Sequence, residues 1–337
     1  MISFKNDYSE IGHPNILALL QKYSHTQFNG YGLDVLSDSV KTTLKQWIQE
    51  DVDIHFLAGG TITNKVFISH VLRPYEAVIS ADTGHIYVHE TGAIESTGHQ
   101  IILIPNQDGK LTVQSIEETI QSYGDEHRVI PKLVYISNAT ETGTFYSKTE
   151  LQHLYHYCQS KGLFLFIDGA RLGVALAASG LSLHDMCVYS DAFYIGGTKN
   201  GAMLGEALVI KHGDLKRYVR HSIKQSGGLL AKGFLAAIQF EGLFQDDLFL
   251  SLGKHANTMA AQLSKGLLDL GIKPLYEVST NQIFITLNTT TVESLLKNYT
   301  FEIWHNLGET QTIRLVTSWF TQPAMIEHLL NDLKKIL

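Results

Sequence analysis

The chain has 337 residues, a formal net charge of −7 and an isoelectric point near 6.1, with 44% hydrophobic and 18% charged residues. This balance excludes a disordered or fibrous chain, and the acidic surplus argues against a general binder of nucleic acid or membrane surfaces. At roughly 150 residues per domain the length predicts two domains, or one large and one small. The two cysteines, Cys158 and Cys187, have no CxxC spacing, which fits a reducing cytoplasm and speaks against a thiolate metal site, so no metal is expected. The start, MISFKND, lacks the apolar run of a signal peptide, and no apolar stretch approaches the ~20 residues of a membrane span.

From about residue 50 the pattern alternates short apolar runs with helical periods. Strands are predicted over 53–57, 77–80, 100–104, 132–137, 163–167, 192–195 and 207–210, with helices over 61–72, 113–122 and 148–161. Such alternation predicts a mostly parallel sheet covered on both faces. After about residue 245 the texture changes. A helix over 252–270 ends at Gly271, a strand follows over 282–287, then a short helix near 292–297, a strand pair at 301–304 and 312–316, and a last helix from Pro323. This predicts a large domain over 1–245 and a small α+β domain over 246–337.

Four segments carry candidate chemistry. In Leu163-Phe-Leu-Phe-Ile-Asp-Gly-Ala-Arg171 an apolar strand delivers Asp168 at its carboxyl end, where open α/β sheets bind ligands. The carboxylate could serve a metal, a ribose or a protonated ring nitrogen, or simply cap the next element. In Ala192-Phe-Tyr-Ile-Gly-Gly-Thr-Lys-Asn-Gly201 a lysine follows two glycines among small residues, a setting that suits Schiff-base chemistry but also an ordinary surface turn. The turn Ala58-Gly-Gly-Thr-Ile-Thr-Asn64 opens a helix and exposes backbone N–H groups fit for a phosphate. In Asp82-Thr-Gly-His-Ile-Tyr-Val-His-Glu-Thr-Gly92, His85 follows a strand end through a glycine, a common place for an imidazole lying on a planar ring. His153 and His156 share a helix without an acidic or cysteine partner and read as surface residues. There is no Walker loop, GxGxxG, GxSxG or HExxH.

In this order the four segments resemble fold-type I pyridoxal-phosphate enzymes, and more narrowly the threonine aldolase/β-eliminating lyase family. The resemblance runs over nearly the whole chain, from Phe4-Lys-Asn-Asp-Tyr-Ser9 and Gly30-Tyr-Gly-Leu-Asp34 to Lys224-Gln-Ser-Gly-Gly228 and Arg314-Leu-Val-Thr-Ser318. It implies an α/β fold with a large domain built on a mostly parallel seven-stranded sheet, a small C-terminal α+β domain, and an N-terminal segment, 1–30, lining the site. It further implies pyridoxal 5'-phosphate held by Lys199 as Schiff-base lysine, Asp168 on the pyridine nitrogen, His85 stacked on the ring, and Gly60, Thr61 and Thr198 at the phosphate. Lys224 would reach that phosphate from a neighbouring subunit. Asn6, Arg171 and Arg314 would hold the substrate carboxylate. Where relatives often carry a histidine, the loop Asn138-Ala-Thr-Glu-Thr-Gly143 has Glu141, a candidate base for the β-hydroxyl proton.

The activity so implied is cleavage of L-threonine or L-allo-threonine, or a related β-hydroxy-α-amino acid, to glycine and an aldehyde. A cytoplasmic homodimer or homotetramer with sites at the subunit interface is expected, without nucleic-acid or membrane partners. The alternatives are a β-eliminating lyase on another amino acid and a catalytically silent PLP-binding protein.

Overall fold

Runs such as Leu165-Phe-Ile167 and Phe193-Tyr-Ile195 carry apolar side chains at successive positions, so their strands need cover on both faces. The computed structural model, which describes residues 1–106 and 108–337, provides that cover. Its strands are β1 (Ile2–Ser3), β2 (Asp53–Leu57), β3 (Glu76–Ala81), β4 (Ile101–Ile104), β5 (Ile130–Ser137), β6 (Phe164–Asp168), β7 (Ala192–Gly196), β8 (Glu206–Ile210), β9 (Gln282–Asn288), β10 (Tyr299–Thr300), β11 (Glu302–Asn306) and β12 (Thr310–Val316). Seven of them form one sheet in the order β2-β8-β7-β6-β5-β3-β4. β8 runs antiparallel to both its neighbours, and the other pairings are parallel. The carboxyl ends of β2, β3, β5, β6 and β7 therefore share one edge of the sheet, and the amino end of β8 joins them there.

One face is covered by the helix Gly60–Val71, whose Val66, Phe67 and Ile68 pack on Val78, Leu133, Tyr135, Phe166, Tyr194 and Leu208. The other face is covered by the helices Val35–Ile48, Val113–Ser122, Lys148–Ser160, Leu172–Ser179, Leu183–Val188 and Phe234–Leu243. The helices 113–122 and 148–160 start where Thr112 and Ser147 cap the first turn in reciprocal side-chain bonds with Ser115 and Glu150. Cys158 and Cys187 are free and buried.

A second, antiparallel sheet of order β11-β12-β9 packs its inner face on the helices Leu248–Asp269 and Pro323–Ile336. The longer of these begins four residues earlier than its sequence period indicates. It ends where Gly271 takes φ +80°, with Ile272 N–H bonded to Leu267 C=O. It also reaches back to the first sheet's helices, because Gly253 meets the backbone of Gly173 in the helix 172–179. A side chain on Gly253 would push the two helices apart, and one on Gly173 would meet the Asn200 side chain.

The N-terminus crosses to this second sheet. β1 pairs parallel with β10, Val316 N–H donates to Phe4 C=O, and Phe4 is buried in the same core. Among the described residues no helix is long and apolar enough to cross a membrane.

Candidate active site

The shared sheet edge explains why residues far apart in sequence meet. Asp168 is the last residue of β6, His85 follows β3 through the Asp82–Gly84 turn, Glu141 follows β5, and Lys199 follows β7. Close backbone approach is built in. A Cβ on Gly169 would collide with the Tyr194 carbonyl and one on Gly196 with the Ala170 carbonyl, so the β6 and β7 ends can adjoin only as glycines.

Asp168 is 3% exposed and accepts four hydrogen bonds. Tyr194 Oη (2.5 Å) and Ala170 N (3.0 Å) donate to Oδ1, while Tyr135 Oη (2.6 Å) and Asn64 Nδ2 (3.0 Å) donate to Oδ2. Burial disfavours its charge, but His85 and the tyrosine and backbone donors outweigh that and hold the carboxyl below its usual range. A permanent negative charge is thus fixed at the floor of the site. Asn64 also donates to Glu90 Oε1 (2.8 Å), and the same oxygen meets His85 Nδ1 at 2.9 Å. His85 stands 5.5 Å ring to ring from His89, which lies 6.0 Å from Trp304 of β11.

Lys199 lies 5.9 Å from the Tyr8 ring, and burial, reinforced by the Arg171 guanidinium, brings its amine down to about 8. At neutral pH a useful fraction of it is the free nucleophile. Arg171 itself is engaged. Its Nε (2.7 Å) and Nη2 (3.0 Å) grip the carboxylate of Asp7, which also accepts from Asn281 Nδ2 at 2.9 Å. Burial works against the Asp7 charge, yet Arg171 and Lys199 keep its carboxyl below the normal range. The N-terminal segment is thereby clamped beside the lysine.

Arg314, on β12, stacks on Trp304 at 5.0 Å. Its Nη1 reaches Gln282 Oε1 at a long 3.4 Å, its Nη2 lies 3.9 Å from Glu302, and its buried Nε has no partner among the described residues. A guanidinium so weakly satisfied is ready for an anion.

The remaining expected residues are placed less directly. Gly60 opens the helix 60–71 beside Tyr194, and Thr61 is exposed in its first turn. Thr198 Oγ1 donates to Glu206 Oε1 (2.8 Å) and accepts from Gly205 N, so its proton is committed within the loop. Asn6 Oδ1 accepts from Tyr8 N and Ser9 Oγ, which shapes the N-terminal turn next to Asp7. Glu141 Oε1 accepts from Ser137 Oγ (2.6 Å) and His85 N (3.0 Å), and the space it shares with Ser80, Tyr135 and Tyr146 leaves no room for a water. Burial pushes its carboxyl upward. Lys224 is exposed over the Tyr31 ring at 4.8 Å, and no bond among the described residues ties it to Lys199 or Asp168.

Sequence reasoning passed over Asn64, Asp7, Glu90, Tyr135, Tyr194 and Glu206. Asn64, Asp7, Glu90 and Tyr194 lie inside segments it singled out, but Asn64, Asp7 and Tyr194 find their partners tens of residues away, and Glu90 meets His85, five residues back, only through the turn that ends the short helix 85–88. Glu206 stands at the start of β8, with Oε2 bonded to Gly197 N (2.9 Å), and burial raises its carboxyl to about 7.

The fold is that of the type I PLP-dependent enzymes. A solved serine palmitoyltransferase of Sphingomonas wittichii, 13% identical, superposes with a TM-score of 0.77 over 99% of this chain and 86% of its own. More narrowly, the chain belongs to the beta-eliminating lyase family, whose model matches residues 27–290. It is similar to a solved threonine aldolase of Leishmania major, with 45% identity and a TM-score of 0.98 over 100% of this chain and 99% of that one. It is also 30% identical, over 96% of its length and 94% of the relative's, to the low specificity L-threonine aldolase of Pseudomonas aeruginosa.

Proposed function

We propose that this protein is a PLP-dependent aldolase that cleaves L-threonine or L-allo-threonine to glycine and an aldehyde. The observation that carries the reading is the gathering of a buried lysine, an anchored carboxylate and a half-satisfied arginine at one sheet edge, in a chain 45% identical over its whole length to a threonine aldolase.

The residues suit pyridoxal 5'-phosphate. Lys199 is buried with its amine brought to about 8, Asp168 keeps its charge, and the His85 side chain is 29% exposed at the site's wall. Lys199, Asp168 and His85 would hold the ring and the Gly60–Thr61 helix start the phosphate, while Thr198, its hydroxyl donating to Glu206, would close the loop beside them. When bound, the cofactor supplies an electron sink for charge arising at the substrate's Cα. The four donors on Asp168 keep it ionised, and a protonated ring nitrogen would join or displace one of them. Lys199 offers its neutral amine as nucleophile. Arg314 orients the substrate carboxylate with its planar fork and so fixes rotation about Cα, while Arg171 and Asn6 shape the same wall through the N-terminal segment. Because Glu141 is bonded to the His85 backbone and shielded from water, the β-hydroxyl proton passes to the His85 ring, with Glu141 holding the turn that presents it.

In this reading residues 1–245 form the cofactor domain and 246–337 the domain that carries Arg314. The enzyme works in the cytoplasm as a homodimer or homotetramer. Support for assembly comes from the exposed apolar Tyr31, Leu33, Val35 and Leu230, of which Tyr31 lies under Lys224, the residue that would face a second subunit's phosphate site.

The test is product analysis. Purified protein with PLP and L-threonine or L-allo-threonine should yield equimolar glycine and acetaldehyde, and Lys199→Ala should abolish both products. Ammonia with a 2-oxo acid in place of glycine, or no turnover across a panel of β-hydroxy amino acids, would overturn the assignment.

A further inference from the structure

Glu90 has no part in the roles above, yet it is a buried carboxylate in direct contact with the site. Its side chain is wholly buried, and one oxygen, Oε1, meets two groups, His85 Nδ1 at 2.9 Å and Asn64 Nδ2 at 2.8 Å. The second hydrogen of Asn64 Nδ2 goes to Asp168 Oδ2 at 3.0 Å. A single side-chain amide thus joins two buried carboxylates, and one of them continues to an imidazole. We propose that Glu90 is a positioning residue for the aldol cleavage, holding His85 in the tautomer with the proton on Nδ1 and the lone pair on Nε2.

The chemistry follows from the donor count. A carboxylate can only accept, so the Nδ1 facing Glu90 must carry hydrogen. Neutral imidazole has one N–H, and with it spent on Glu90 the other nitrogen is left as a base. His85 Nε2 makes no bond among the described residues, which leaves it free for a substrate proton. When Nε2 takes that proton, the ring becomes a cation next to the Glu90 charge, and the proton transfer is eased. The other charged and titratable groups around the ring do not take over this function. Glu141 bonds the His85 backbone rather than the ring, Asp168 is reached only through Asn64, and His89 stands 5.5 Å away ring to ring. Placement rather than sequence spacing makes the contact: the short helix His85–Val88 and its end at His89 fold Glu90 back under the ring five residues earlier.

This inference rests on His85 accepting the β-hydroxyl proton, but its test separates the two. In full-length protein labelled with ¹⁵N-histidine, with and without PLP, the His85 signals are assigned by their loss in His85→Asn. Their shifts report the tautomer without any turnover. The expected result is Nδ1–H with bare Nε2. Glu90→Gln keeps the acceptor oxygen and the shape but removes the charge, so the tautomer should persist while the ring's proton uptake moves about one pH unit lower. In the active enzyme the acidic limb of kcat should move down by a similar amount. The kcat plateau should fall about tenfold, with KM changed less than twofold. Glu90→Ala should lose the tautomer preference. A wild-type His85 that carries its proton on Nε2, or a Glu90→Gln enzyme whose proton uptake and acidic limb do not move, overturns the proposal. The wild-type tautomer decides the matter even if neither variant folds, and failure of threonine cleavage would leave that measurement standing.

Discussion

Truncating Asp7 to alanine tests whether the N-terminal segment is part of the site or an ornament on it. Asp7 is 1% exposed, and its carboxylate takes both donors of the Arg171 fork and one from Asn281. Removing one partner of a buried pair strands the other charge, which costs ~3–5 kcal/mol. That is a large share of the ~5–15 kcal/mol that holds a typical domain. Asp7→Asn preserves shape and one acceptor oxygen, so its loss should be smaller, ~1.5–3 kcal/mol. The sign with pH follows from the lowered carboxyl of folded Asp7. Its contribution is complete above the unfolded value of about 3.9 and fades as pH falls through the lower folded value. The gap between wild type and Asp7→Asn should therefore be flat from neutral pH down to about 4 and close below it. Urea unfolding followed by tryptophan fluorescence measures the gap, and Asp7→Ala/Arg171→Met should recover part of the single-variant loss because no charge is stranded. A cost under ~1 kcal/mol for Asp7→Ala, or no recovery in the double variant, would mean that solvent screens the pair and that the clamp argument is wrong.

Two further variants probe the rest of the architecture. Arg314→Lys retains charge but not the planar fork, so kcat/KM for threonine should fall about tenfold or more while PLP affinity is unchanged; steady-state kinetics beside a PLP titration checks this, and an unaltered kcat/KM would remove Arg314 from the carboxylate site. Gly253→Ala places a methyl against the Gly173 backbone and should cost ~1–3 kcal/mol by parting the helices 248–269 and 172–179, read as a lowered Tm; an unchanged Tm would mean the contact yields freely.

The strands of the main sheet are legible in the sequence because two-sided burial writes an uninterrupted apolar run, and each expected strand between residues 53 and 210 is present within two residues at its ends. The helices 172–179 and 234–243 leave no such trace. Leu-Gly-Val-Ala-Leu-Ala-Ala-Ser is apolar on every side because sheet and helix 248–269 enclose it, so there is no polar face to mark a period. Helix 14–22 hides for a different reason. It buries Ile16 alone, too narrow a stripe to stand out.

What the sequence determines by itself is the α/β alternation and the strand-end positions of Asp168, His85 and Lys199, since local periodicity and the glycines beside them are enough to place a residue at the end of an element. What only the tertiary structure decides is who faces whom. The sheet order β2-β8-β7-β6-β5-β3-β4 is not the chain order, so the approach of Asn64 to Asp168 and of Asp7 to Arg171 depends on pairings that no local pattern encodes. The physical reason is that a buried charge is tolerated only when partners converge on it from several elements. Those partners are chosen by the fold's closure in space and not by their distance along the chain.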